Sequence, residues 1–251
     1  MAEAGRALVT GGGKRIGRAI AEALGQAGWS VAVHYRSSAK EAGTVAETIR
    51  KSGSDAATVR ANLADEAETG ELISQAQAAL GGPMTLLVNS ASIFENDTAM
   101  DHHRRDWELH METNLRAPVH LAQDFANALG QDQAGSIINL IDQRVWKLTP
   151  QFFTYTLSKS ALWTTTQTLA QALAPRIRVN AVGPGPTLRS IHQSEEDFEA
   201  ERAATLTGQG SSPEEIVRAV MYLVSATSVT GQMIASDGGQ HLNWQTPDTQ
   251  I

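Results

Sequence analysis

The sequence predicts a single α/β domain built on a doubly wound, seven-stranded parallel sheet flanked by helices. Three observations predict it: seven short apolar runs separated by helix-like segments, a glycine-rich turn directly after the first run, and a length of 251 residues, enough for one large core.

Ala7-Leu8-Val9 runs straight into Thr10-Gly11-Gly12-Gly13-Lys14-Arg15-Ile16-Gly17, so it reads as a first strand entering a tight turn. Ala19, Ile20, Ala23 and Leu24 then share one helical face, with Gly25 and Gly28 marking its expected end. Apolar runs at 31–33, 57–59, 84–88, 137–141, 177–182 and 233–235 supply the other six strands. Their alternation with helix-like segments implies a parallel sheet covered on both faces. Ser212-Pro213-Glu214-Glu215 places a capping hydroxyl, a first-turn proline and a carboxylate ahead of Ile216, Val217, Val220 and Val224, which predicts a helix start. The stretch 187–210 is polar, acidic at Glu195-Glu196-Asp197 and without a core stripe; it is expected to be a mobile lid over the active site.

Composition narrows the function classes. There are no cysteines, which excludes disulfides and thiolate metal sites, and the histidines have no metal-ligand spacing, so no metal is expected. The N-terminus shows no signal-peptide core and no apolar stretch reaches membrane-spanning length, so a soluble cytoplasmic protein without membrane contact is expected. A formal net charge of −7 argues against nucleic acid as a partner. Lys14, Arg15, Arg18, Arg36 and Lys40 nevertheless gather where the phosphates of a nucleotide would lie.

The chemistry-bearing residues follow the same order. Gly11 and Gly17 stand between strand and helix, the context in which backbone amides approach a pyrophosphate. After the second strand the chain reads His34-Tyr35-Arg36-Ser37-Ser38, where an NAD-preferring site carries an acidic residue; a guanidinium and hydroxyls suit a 2′-phosphate, and hence NADPH/NADP+. Tyr155-Thr156-Leu157-Ser158-Lys159 puts a phenol and an ammonium on one helical face. The charge of Lys159 is expected to lower the phenol from its ordinary pKa of about 10 and make Tyr155 a proton donor.

Taken in order, T-G-x-x-x-R-x-G, Asn89-Ser90-Ala91-Ser92, Y-x-x-x-K and Pro184-Gly185 resemble the short-chain dehydrogenase/reductase family over essentially the whole chain. The resemblance implies a Rossmann-type fold. It also implies cofactor contacts from Gly11, Lys14, Arg15, Ile16, Gly17, His34, Tyr35, Arg36, Ser37, Asn62, Leu63, Ser90, Ala91, Ser92, Pro184, Gly185 and Thr187. Lys159 would hold the nicotinamide ribose, and Asn114 matches the asparagine that supports a water relay behind it. Arg15 stands where most members carry glycine, Asp142 where most carry serine, and Phe94 follows the Asn-x-Ala segment; all three features resemble the pteridine reductase branch. There the aromatic sandwiches a flat pterin against the nicotinamide, with Ser92 and Arg15 on the polar rim. A carboxylate would repel a developing alkoxide but suits a substrate edge offering N–H groups; raised by burial, it could share a proton with Tyr155.

The leading expectation is therefore an NADPH-dependent reductase of a dihydropterin C=N bond, in which Asp142, Tyr155, Lys159 and Asn114 form the catalytic set. The alternative is a carbonyl reductase of a 3-oxoacyl thioester or small ketone; a cofactor-sensing protein without chemistry is the third reading. The family resemblance implies a homotetramer or dimer, for which Leu162, Trp163 and Leu169 form the expected contact surface.

Overall fold

A computed structural model describes residues 4–191 and 193–245. Residues 1–3, on which part of the N-terminal expectation falls, and His192 of the expected lid lie outside the described residues. The strands are β1 (Arg6–Val9), β2 (Ser30–Tyr35), β3 (Ala56–Arg60), β4 (Leu86–Asn89), β5 (Gly135–Leu140), β6 (Ile177–Pro184) and β7 (Met233–Ser236). They pair in parallel in the order β3-β2-β1-β4-β5-β6-β7. Winding runs outward from β1 to β3 and then restarts at β4, so β1 and β4 flank the point where its direction reverses. Loops at the carboxyl ends of these two strands diverge there and leave a crevice.

Alternate residues of the strands feed two cores. Ala7, Val9, Val31, Val33, Leu86 and Val88 face α1 (Arg15–Gln26), α2 (Ala39–Lys51) and α8 (Pro213–Ser225), through Ile20, Leu24, Val45, Ile49, Ile216 and Val220. Leu8, Ala32, Leu87 and Ile137 face α3 (Glu66–Leu80), α5 (Ala117–Ala128) and α6 (Phe153–Leu173), through Leu72, Ile73, Leu121, Phe125 and Ala170. Burial on both faces is what the alternation of apolar runs with helix-like segments predicts; each fully buried Leu or Ile contributes about 1.5–3 kcal/mol. α4 (Arg104–Met111) continues through a π-helical turn (Glu112–Arg116) into α5.

Several boundaries differ from the expectations. α1 passes through Gly25 to Gln26, because Gly25 packs inside the α1–α2 contact; Gly28, at φ 90°, begins the turn instead. Met84 is buried but precedes β4, and Ile141 lies just past β5. The predicted start of α8 is present in full: Ser212 Oγ accepts from the Glu215 amide, and the Glu215 carboxylate accepts from the Ser212 amide. The stretch expected as a mobile lid contains α7 (Glu195–Ala203), capped by Ser194 and anchored by buried Phe198. Leu162 is buried among Ile141, Ala181 and Met233, and Leu169 packs on the second core, so neither belongs to an exposed contact surface. Trp163 lies against the Leu162 cluster, edge-on to Trp146.

Candidate active site

One cavity of about 890 Å³ opens at the winding reversal, and every site residue expected from the sequence except Asn114 lines it. At its inner end, Thr10 Oγ1 accepts from the amides of Ser90 and Ala91 at 2.9 and 3.0 Å, which lays the loop after β4 onto the loop after β1. The approach is close enough to need glycine: a Cβ on Gly11, at φ 64°, would come within 2.9 Å of the Ala91 backbone, and one on Gly17 within 2.4 Å of Gly11 O. No side chain caps the start of α1 and no acidic residue occupies its first turn, so its amides are left to an anion. This cradle fits the pyrophosphate of a dinucleotide.

The cations around it divide. Lys14 pairs with Glu41 at 2.8 Å, and Arg18 with Glu22 at 2.8 Å. Arg36 has no hydrogen-bond or ion-pair partner among the described residues and lines the cavity beside Ser37 and Ser38, a donor set that suits a phosphate on the adenosine ribose. His34 does not belong to that set. Its Nδ1 accepts from the Gly11 amide at 3.0 Å and its Nε2 meets Ala61 O at 3.0 Å, so both ring nitrogens are used and neither reaches a ligand. Burial pushes it down to about pKa 4, against the opposing bond to Ala61. His34 is thus a neutral brace beneath the glycine turn. Asn62 folds its Oδ1 onto the Ala64 amide at 3.3 Å, keeping Asn62 and Leu63 against the cavity.

At the catalytic end, Asp142 follows β5, while Tyr155 and Lys159 lie one turn apart on buried α6. The Tyr155 hydroxyl donates to Asp142 Oδ2 at 2.9 Å, and the Arg144 amide donates to Asp142 Oδ1 at 2.8 Å. Lys159 Nζ donates to Leu140 O at 2.8 Å and stands 5.8 Å from the Tyr155 ring centre. Burial raises the Asp142 carboxyl, although the Arg144 amide and charge, Tyr155 and Lys159 pull it down. Tyr155 is raised well above its ordinary value, by burial first and then by Asp142. Burial brings Lys159 down to about 8, with Asp142 opposing. The expected lowering of the phenol is therefore reversed: the nearest charge to its oxygen is a carboxylate, and the ammonium is turned toward a backbone carbonyl.

Phe94 stacks on Phe152 with ring centres 4.2 Å apart and planes 8° from parallel, and meets Tyr155 edge-on at 4.7 Å. Arg144 lies 5.0 Å from the Phe152 ring. Phe152 and Arg144 were absent from the sequence expectations; Phe152 precedes α6 in a left-handed conformation, at φ 54°, so no helical spacing pointed to it. Arg15, expected on the cofactor and substrate rim, instead donates to Arg189 O and Leu188 O, each at 2.9 Å, and so ties the glycine turn to the covering segment. Glu201 of α7 accepts from Gln193 and Gln240, both at 2.8 Å, closing the far end. Thr187 donates to Gly185 O at 3.0 Å beside Pro184. Asn114 stands behind the cavity, where its side chain bonds Ile93 N, Ile93 O, Ser92 Oγ and Ser158 Oγ. It touches neither Tyr155 nor Lys159 directly.

Comparison with known proteins adds to this geometry. The family model for enoyl-(acyl carrier protein) reductase matches residues 12–241. The 3-oxoacyl-[acyl-carrier-protein] reductase FabG of Staphylococcus aureus (strain N315) is 31% identical over 241 residues, spanning 94% of this chain and 98% of the relative. The crystal structure of FolM alternative dihydrofolate reductase 1 from Brucella suis, in complex with NADP, superposes with a TM-score of 0.94 at 50% identity, covering 97% of both chains. The corresponding Brucella canis protein gives 0.92 at 48% identity, covering 98% of both. The angucycline C-6 ketoreductase LanV with bound NADP gives 0.88 at 33% identity, covering 94% of this chain and 95% of the other.

Proposed function

The chain belongs to the short-chain dehydrogenase/reductase family, and from that membership we propose that it is an NADPH-dependent reductase acting on the C=N bond of a dihydropterin. One observation carries the choice of substrate: the hydrogen-bond partner of Tyr155 is a half-buried carboxyl, at 2.9 Å, with the Phe94 ring edge-on to the same phenol. The two Brucella structures, at 48% and 50% identity, support both the cofactor and the substrate class.

NADPH supplies the hydride when bound. Gly11, Gly17 and the start of α1 would cradle its pyrophosphate, Arg36 with Ser37 would hold the 2′-phosphate, and Lys159 would hold the nicotinamide ribose. Phe94 provides a flat face for the pterin ring, and Ser92 and Asp142 offer acceptors to its N–H edge. Because burial resists ionisation of Tyr155, a phenolate is a poor end state. Tyr155 instead passes its proton to the ring nitrogen as its bond with Asp142 reverses, so that a protonated Asp142, a form favoured by burial, donates to the phenolic oxygen. The net donor is Asp142, and the phenol carries the proton across.

A carbonyl reductase is the second reading, favoured by the FabG and LanV similarities. Following NADPH oxidation with a 7,8-dihydropterin, a 3-oxoacyl thioester and a small ketone separates the two: pterin turnover exceeding keto turnover is expected, and keto turnover without pterin turnover rejects the proposal. We also infer a cytoplasmic homotetramer; exposed Leu206, Tyr222, Leu242 and Trp244 give partner copies an apolar surface.

A further inference from the structure

His110 is fully buried on α4, lies outside the cavity and has no part in the chemistry above. We propose that His110 is the positioning residue that holds Phe94 in register with Tyr155, by clamping the backbone beside Phe94 and the start of the catalytic helix at the same time.

The clamp has two ends. On the substrate side, His110 Nε2 accepts from the Glu95 amide at 3.2 Å, while Asn114, one turn along the same rod, accepts from the Ile93 amide at 2.8 Å and donates to Ile93 O at 3.0 Å. Both neighbours of Phe94 are therefore gripped by one element. On the catalytic side, His110 Nδ1 lies 2.7 Å from Thr154 Oγ1, the residue before Tyr155. Thr154 gives its hydroxyl proton to Asp97 Oδ2 and its amide to Asp97 Oδ1 at 2.9 Å. The Phe153 amide donates to Asp97 O at 3.1 Å, and the Phe152 amide to Asn96 Oδ1 at 3.1 Å. The loop that carries Phe94 thus satisfies the amides at the start of α6.

Proton bookkeeping admits one arrangement. With the Thr154 proton on Asp97, Thr154 Oγ1 must accept from His110 Nδ1–H, which leaves Nε2 as the acceptor for Glu95. The ring is then neutral. Burial lowers His110 and favours that form; Asp97, Asp106 and Glu95 pull the other way, Lys159 assists, and the Tyr155 ring lies edge-on at 6.1 Å.

This inference rests on the pterin reading for its kinetic arm only. A glutamine at 110 carries an acceptor where Nε2 stands, and an asparagine carries a donor where Nδ1 stands. In the NADPH-loaded protein, His110→Gln is expected to keep the substrate KM within about twofold, and His110→Asn to raise it roughly tenfold with kcat and NADPH binding little changed. Hydrogen exchange at the Glu95 amide is expected to speed up in His110→Asn alone. Unchanged Glu95 exchange in His110→Asn, or equal damage from both variants, overturns the proposal. If His110→Asn does not fold, His110→Leu against His110→Gln decides: a raised KM and faster Glu95 exchange in the first alone support the clamp, and no difference overturns it. A wild type that reduces no dihydropterin sinks the proposed function, and Glu95 exchange still tests His110.

Discussion

Asp142, Tyr155 and Lys159 share one enclosed volume, and the sign of each shift follows from what its atoms touch. Burial favours neutral forms, so both acids rise and the ammonium falls to about 8. Under this account turnover needs a protonated Asp142, and it declines with rising pH as that proton is lost. His34 gives a separate prediction about stability. The unfolded chain takes up the imidazole proton near pH 6.5 and the folded chain only near about 4. Stability is therefore complete above pH 6.5 and drains as pH falls toward 4, by about 3 kcal/mol from this residue. Thermal melts of wild type and His34→Gln across pH 4–7.5 check this: the variant is expected to show a shallower acid decline, and parallel curves would contradict it. Tyr155 and Lys159 were legible because four-residue spacing fixes a shared face, and Asp142 through the family resemblance, because it stands where most members carry serine. The bonds of His34 were not, since a buried acceptor role depends on Gly11 and Ala61, distant in sequence.

Among the elements, the covering segment and the glycine turn act together through Arg15. Arg15 sits at φ 52°, a left-handed conformation that costs a non-glycine residue roughly 1–2 kcal/mol. Its two bonds to Leu188 O and Arg189 O return about 0.5–1.5 kcal/mol each. These nearly cancel, so Arg15→Gly is expected to leave the melting temperature within a few degrees while releasing the segment, with NADPH dissociating several-fold faster in stopped flow. An unchanged dissociation rate would show that the segment does not depend on this tie. α8 was legible from its capping sequence, a purely local signal. α7 was not, because Phe198 is its one buried residue, and a single apolar side chain leaves no periodic stripe.

At the level of the whole molecule, seven parallel strands with helices on both faces leave β3 and β7 as edges. The strand count was legible because doubly buried strands are mostly apolar and alternate with helix-like segments, whereas the contact surface for other copies was misread at Leu162. That residue lies on an element buried by the sheet on one side, and sequence alone does not say which side. Light scattering is expected to report four chains at working concentration; a monomer would remove the assembly from this account. The account as a whole rests on Asp142 as the source of the proton. Single-turnover oxidation of bound NADPH by a 7,8-dihydropterin, compared between wild type and Asp142→Ser, measures that most directly. The account predicts a loss of at least about 100-fold in the variant with NADPH affinity retained, and equal rates in the two proteins would contradict it.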